Sequence, residues 1–381
     1  MKIVIFSRFP NDPGSPSGGV ETATLGLVRG LVAINAGEIH LVTLEFGVTE
    51  LTIEHHEGIT VHRLPRPKFP MLFDVLFNGP GCKLVKAYID NLKPDIVHFH
   101  ETYGLAVQGL SAPKVFTVHG FDSLNLPTEK KSNWWIRSKI WRIAEQYRMK
   151  HEKHIISITP YVRDEIEART QAKIHDIDNA ISKEFFSLER NEVLGRVFFA
   201  GWINPRKNPL GLVKAFSKVV SAGVDAELHL AGACLEPDYL AEIEKTIEIN
   251  NLSGKVKLLG KINQSQIRHE LTQASIFVLP SYQENAPMAI SESMAVGVPV
   301  ISSNVCGMPY MLKDKKTGFL VDPDDHQAMA DIMIQLLRDE SLRSQVTAQA
   351  KIDATERYHP EAVAKKTLAV YDTLIQEWQQ K

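Results

Sequence analysis

The chain has 381 residues, 44% of them hydrophobic, and a formal net charge of −2. That length suits two domains, and the absence of a strongly basic half argues against a nucleic-acid partner. Its three cysteines (Cys82, Cys234 and Cys306) are far apart and out of metal-ligand spacing, which argues against a disulfide framework or a zinc site and fits a reducing cytoplasm.

In chain order, KIVIF (2–6) predicts a first strand, followed by a glycine-containing loop and a helical pattern from about Val20. The opening MKIVIFSRFPNDPG has an apolar run too short for an export signal, and no apolar run approaches the ~18 residues that span a bilayer. IHLVTL, ITVHRL, DIVHFH, KVFTVHG and HIISIT follow as strands. After about residue 180 the pattern restarts with RVFFAG, AELHLAGA, KVKLLG, SIFVLPS, VPVISS and GFLVDP. Continuous apolar strands alternating with helical patterns predict parallel sheets buried on both faces, hence two doubly wound α/β domains. The more polar segment 179–195 reads as a linker. A helix over about 361–380 could pack on either domain.

Candidate chemistry sits where strands end. SYQENAPMAISESMAVGVPVI (281–301) carries Glu284 and Glu292 eight positions apart in an otherwise small or apolar run. SIFVLP ends near Pro280, and Pro287 suits the first turn of a helix. The amides of Met288 and Ala289 then lie at the positive end of a helix dipole, a phosphate-binding arrangement. Glu284 falls in the preceding loop, and Glu292, deeper in the helix, suits a vicinal diol such as a ribose. The turn after FFAG carries Arg206 and Lys207, a planar fork and a point charge suited to a diphosphate. Gly18 and Gly19 before a helix permit close backbone approach, although G-x-G-x-x-G is absent. His119 ends the KVFTV strand. Each feature alone has a plainer reading: solvated glutamates, a solvated basic turn, a glycine hinge, a structural histidine.

Taken together, SYQENAPMAISESMAVGVPVISSN, GWINPRK, SGGVE, TVHGFD and KPDIVHFHE resemble the GT-B retaining glycosyltransferases of family 4, over most of the chain. The resemblance implies the GT-B fold, two Rossmann-like domains facing across a cleft. It places residues 1–180 with 361–381 in an N-terminal acceptor-side domain and 193–360 in a nucleotide-sugar-binding domain. It implies that Glu284, Asn285 and Ala286 meet the donor sugar, Met288 and Ala289 the phosphates, and Glu292 the ribose. Arg206 and Lys207 would stabilise the departing diphosphate, His119 would lie near the reacting centre, Gly18 and Gly19 near the phosphates, and Lys261 and Ile262 at the base. The expected reaction is transfer of a hexose from a nucleotide diphosphate sugar, such as UDP-glucose, to a saccharide or lipid-linked acceptor in cell-surface or exopolysaccharide synthesis. Configuration is retained and no cofactor or metal is expected. Two departures stand out: Trp202 where the phosphate loop often has Arg, and Ala286-Pro287 where Phe-Gly is common. Asp176-Ile177-Asp178 is a D-x-D, a metal-binding pattern of the other main glycosyltransferase fold. A GT-B epimerase, a nicotinamide dehydrogenase and a non-enzymatic two-lobed sugar-binding protein are the competing readings.

Residues 129–153 hold eight Lys and Arg against three Asp and Glu. A helical wheel predicts Ile136, Ile140, Ile143 and Tyr147 facing the core. Trp134, Arg137, Trp141 and Arg148 then form an outer face suited to an acceptor platform or to peripheral contact with the inner face of the cell membrane. An ordinary packed helix is the plain alternative.

Overall fold

The computed structural model describes residues 1–380 apart from Ser15, Ser17, Glu101, Asp122 and 124–133, and leaves out the side chains of Tyr103 and Trp134. The chain divides into two units, Met1–Ala180 with Pro360–Lys381, and Ile181–His359.

The first unit runs β1 (Lys2–Phe6), α1 (Gly19–Ala33), β2 (Glu38–Glu45), β3 (Thr52–His56), β4 (Ile59–Pro65), α2 (Met71–Phe77), α3 (Pro80–Leu92), β5 (Ile96–Phe99), α4 (Tyr103–Ala106), β6 (Lys114–Val118), α5 (Trp134–Met149), β7 (His154–Ser157), α6 (Pro160–Glu167) and β8 (Lys173–Asp176). Its sheet has the order β3-β4-β2-β1-β5-β6-β7-β8. Among the described residues, only β3 is antiparallel to its neighbour, β4. β3 and β8 escaped the sequence reading because they are polar edge strands with exposed positions, as edges require.

The second unit runs β9 (Arg196–Ala200), α7 (Pro209–Ser221), β10 (Glu227–Ala231), α8 (Pro237–Ile249), β11 (Val256–Gly260), α9 (Gln264–Gln273), β12 (Ile276–Leu279), α10 (Met288–Val296), β13 (Val300–Ser303), β14 (Phe319–Val321), α11 (His326–Arg338) and α12 (Glu340–Tyr358). Its parallel sheet has the order β11-β10-β9-β12-β13-β14. Central strands such as IFVL are buried throughout, while β11 at the edge is largely exposed, against the expectation of burial on both faces. Both units are Rossmann-like α/β folds.

α13 (Pro360–Gln379) packs on α1 in the first unit. The approach depends on a missing side chain: a Cβ on Gly30 would lie 2.2 Å from the Pro360 carbonyl oxygen. Part of the polar 179–195 segment belongs to the second unit's core, where Ile181 and Phe185 are buried. Among the described residues no helix is long and apolar enough to cross a membrane.

Candidate active site

In an open parallel sheet, loops diverge where the strand order reverses, and ligands bind beyond the carboxyl ends there. The second unit reverses between β9 and β12. The loops after these two strands carry Arg206, Lys207 and Glu284. The Tyr282 amide donates to the Arg206 carbonyl at 2.8 Å, tying the loops together.

Local capping sets the basic turn. The Asn204 side chain accepts from the Lys207 amide, and Asn208, left-handed at φ 55°, accepts from the Gly211 amide at the start of α7. Asn208 also donates to the Pro323 carbonyl, at 3.0 Å. These two asparagines were not singled out as site scaffolding; the signal was N-P-R-K-N, with Asn immediately before Pro at one helical start and immediately after the cations at the next.

Both cations converge on one carboxylate. Arg206 Nη1 donates to Glu284 Oε1 at 2.8 Å and to the Gln283 carbonyl at 2.9 Å. Lys207 Nζ lies 2.7 Å from the same Oε1. Sequence reasoning placed Glu284 against a sugar and the cations against phosphate, without this triad. Glu284 therefore balances two positive charges that would otherwise repel each other at short range.

Glu284 is held through its backbone as well. Gly307, after β13, donates its amide to the Glu284 carbonyl at 2.9 Å. A Cβ at Gly307 would sit 1.8 Å from the Asn285 carbonyl oxygen. No motif in the sequence marked Gly307, because its contact spans 22 residues and exists only once β12 and β13 are paired.

α10 begins one residue later than expected, at Met288, with Pro287 as its N-cap and no side chain capping it. Met288 and Ala289 thus occupy its first turn. From Ile290 to Val296 the helix is buried, so Glu292 is enclosed at 4% exposure. Among the described residues its carboxyl makes no hydrogen bond. Burial pushes its pKa up to about 7, against the pull of Arg268. A buried carboxyl in this state gains most from donors that arrive with a ligand, and a vicinal diol brings two. Asn285 and Ala286 lie in the loop between the glutamates. Lys261 and Ile262 follow β11, whose neighbour β10 separates it from β9. Lys261 is exposed and Ile262 half-buried.

In the first unit the strand order reverses between β1 and β5. Gly18 caps α1 and Gly19 opens it, after β1. His119 follows β6 and its Nε2 lies 2.8 Å from His100 Nδ1. His98 bridges Tyr371 on α13, at 2.6 Å, and Thr117 on β6, at 2.6 Å. Burial lowers His98 to about 3 and His119 to about 4, while burial with the neighbouring His40 and His55 lowers His62 to about 4. These rings are neutral in the fold and must charge on unfolding below their ordinary value of 6.5. Stability is therefore whole above pH 6.5 and is lost as pH falls toward 4. The expected loss is on the order of 1 kcal/mol per buried histidine at pH 5.5. Urea titrations at pH 7.5, 6.5 and 5.5 check this, and a midpoint that stays level would contradict it. Asp176 of the D-x-D pairs with Arg163 at 2.5 Å, an ordinary structural role.

The α5 face departs from expectation. Trp141 is 6% exposed, whereas Ile143 is 63% and Tyr147 55% exposed. The buried side of α5 is Trp141, Ala144, Glu145 and Met149. Glu145 disguised that side as polar, and it is satisfied there by the Ser123 hydroxyl at 2.6 Å. Arg148 is also turned inward in role: its guanidinium donates to the Val75 and Leu76 carbonyls at 2.9 and 2.8 Å, closing the last turn of α2. Arg137 is exposed. The Trp134 side chain lies outside the described residues.

Residues 180–353 match the family model of glycosyl transferases group 1, and residues 17–185 match that of glycosyltransferase family 4. The chain is 26% identical over 399 residues to N-acetyl-alpha-D-glucosaminyl L-malate synthase of Bacillus anthracis, covering 99% of this chain and 98% of the other. Sucrose-phosphate synthase of Thermosynechococcus elongatus superposes with a TM-score of 0.79 at 21% identity, over 99% of both chains. HepE of Anabaena, solved with UDP and glucose, superposes with a TM-score of 0.75 at 17% identity, over 98% of this chain and 100% of that one. These solved relatives share the fold of two Rossmann-like domains, which is that of the GT-B class. Two family models that together take in residues 17–353, on such a fold, place this protein in the group 1, family 4 glycosyltransferases, and it is a glycosyltransferase.

Proposed function

We propose that this enzyme transfers a hexose from a UDP-hexose such as UDP-glucose to a hydroxyl of a saccharide or lipid-linked saccharide, with retained configuration and without a metal ion. The reaction would serve cell-surface or exopolysaccharide synthesis. The observation that carries the reading is the triad of Arg206, Lys207 and Glu284 at the β9/β12 switch point, in the unit that also holds the uncapped α10 terminus and the buried Glu292.

Those parts divide the work by chemistry. The diphosphate takes Arg206, Lys207 and the first amides of α10, so its charge is met without a metal ion. Glu284 meets sugar hydroxyls and Glu292 the ribose diol. The anomeric carbon–phosphate oxygen bond breaks as the acceptor oxygen bonds to the same face. The acceptor's proton passes to the departing phosphate, so no side-chain base is required. HepE, solved with UDP and glucose, supports the choice of base and sugar.

The test is a transfer assay with UDP-, GDP- and ADP-hexoses in excess EDTA, with product anomers assigned by NMR. We expect turnover with a UDP-hexose, undiminished by EDTA, and retained configuration. Activity that disappears in EDTA and returns with Mn²⁺ or Mg²⁺ would overturn the metal-free mechanism; an inverted product would overturn retention.

We also propose that α2 and α5 touch the cytoplasmic face of a membrane. Phe73 and Phe77 stack on α2 with ring centroids 6.3 Å apart, and they are 48% and 73% exposed. Trp135 and Ile143 on α5 are 53% and 63% exposed, among the exposed cations Arg137, Lys139 and Arg142. Large apolar side chains ringed by cations suit an anionic lipid surface. Phosphatidylcholine vesicles with phosphatidylglycerol should sediment the protein at low salt, and Phe73→Ser with Phe77→Ser should weaken this several-fold. No sedimentation at low salt removes the proposal.

A further inference from the structure

We propose that Tyr282 is a positioning residue: its hydroxyl, through Asp324, closes a circuit of hydrogen bonds that holds the Arg206–Lys207 turn beside Glu284. What the turn meets rests on the reading above; the circuit itself does not.

The circuit joins three loops at the carboxyl ends of the second unit's strands. One side of the cationic turn is fixed where the Tyr282 amide donates to the Arg206 carbonyl at 2.8 Å. The other side is fixed where Asn208, the residue after Lys207, donates to the Pro323 carbonyl at 3.0 Å. Pro323 lies in the loop after β14, which β13 separates from β12 in the sheet. The Tyr282 side chain spans that gap, and its hydroxyl donates to Asp324 Oδ1 at 2.6 Å. The two anchors of the turn are thereby joined to each other.

Asp324 is a firm end point. Its amide donates to Asp322 Oδ1 at 2.9 Å, and its carbonyl accepts from the His326 amide at 3.0 Å. The next residue, Asp325, caps α11 by accepting from the Ala328 amide at 2.9 Å. A hydrogen bond to a carboxylate is among the stronger kinds. Burial, together with Asp324, pushes the pKa of Tyr282 up to about 12, so the hydroxyl keeps the hydrogen that it donates.

The triad alone cannot hold the turn through the reaction. Cations drawn to a diphosphate loosen their hold on Glu284. The circuit is made of backbone, side-chain amide and phenol groups, and Asp324 is its one charged member. It therefore stays closed as the phosphates enter, and keeps both cations where the leaving charge develops.

Tyr282→Phe removes the hydroxyl and keeps the aromatic face, so it isolates the hydrogen bond. We expect kcat to fall about tenfold, with the donor KM changed by less than about threefold, because a misplaced charge at the leaving group costs most in the transition state. Asp324→Ala should lose as much, and the double variant no more than either alone. Asp324→Asn, which keeps an acceptor oxygen, should recover most of that loss. Losses that multiply in the double variant, or a Tyr282→Phe kcat within about twofold of wild type, would overturn the proposal. Thermal unfolding checks that each variant is folded. Hydrogen exchange on the ligand-free protein reads the circuit without any transfer. The Lys207 and Tyr282 amides, bonded to Asn204 and Arg206, should exchange about tenfold faster in Tyr282→Phe, and unchanged exchange would overturn the proposal. Faster exchange in a protein that transfers no hexose from any donor would count against the proposed function and leave the circuit standing.

Discussion

Lys207→Ala is expected to lower kcat by about 10²–10³ while leaving the fold in place. Preorganised charge at a leaving group is commonly the largest catalytic contribution, and one donor is worth about that much. The fold should survive because Glu284 keeps its contact with Arg206 at 2.8 Å, so no buried charge is stranded. Lys207→Arg should recover part of the loss by restoring the charge with different reach. Glu284 gives the informative contrast. It occupies both cations when no phosphate is present, so Glu284→Gln should bind UDP at least as tightly as wild type while turning over more slowly. Lys207→Ala should bind UDP more weakly. Isothermal titration with UDP beside steady-state kinetics separates the two. Wild-type turnover in Lys207→Ala would refute the role given to this side chain.

Gly307→Ala is expected to cost both stability and rate. The added methyl would lie 1.8 Å from the Asn285 carbonyl oxygen and 3.0 Å from that of Glu284. The obstacle is backbone, so the 284–285 loop must move by more than an ångström. Overpacking of this kind costs about 1–3 kcal/mol, and a displacement of about 1 Å at a reacting centre can cost about 10² in rate. The Gly307 amide would also move off the Glu284 carbonyl, now at 2.9 Å. Thermal unfolding and kcat/KM of the purified variant measure both effects. Gly254→Ala is the control, since nothing lies within 4 Å of its Cβ position. A variant with wild-type melting and turnover would show that the loop yields freely, contrary to the packing argument.

The β9 and β12 loops show how far pattern reading reaches. Strand ends at Gly201 and Pro280, the cationic pair and the E-x₇-E spacing are local, and local spacing survives folding. The α5 wheel shows where it stops. A helix has the same periodicity whichever face it buries. The choice fell to Trp141 rather than Ile143 because Glu145 found a partner in Ser123 and could be buried beside it.

By itself, then, the sequence determined two alternating α/β series, the position of each catalytic candidate at a strand end, and the family. Hydrophobic period and glycine or proline placement act within a few residues, so they can be read without coordinates. Only the tertiary structure decided that β9 and β12 are neighbours at a reversal of strand order. The same folding brought two cations onto one carboxylate, put Gly307 beneath Asn285, and lined up His98, His100 and His119 beside Tyr371. Those facts depend on which distant strands pair and which polar groups satisfy one another when water is removed, and no spacing along the chain encodes that.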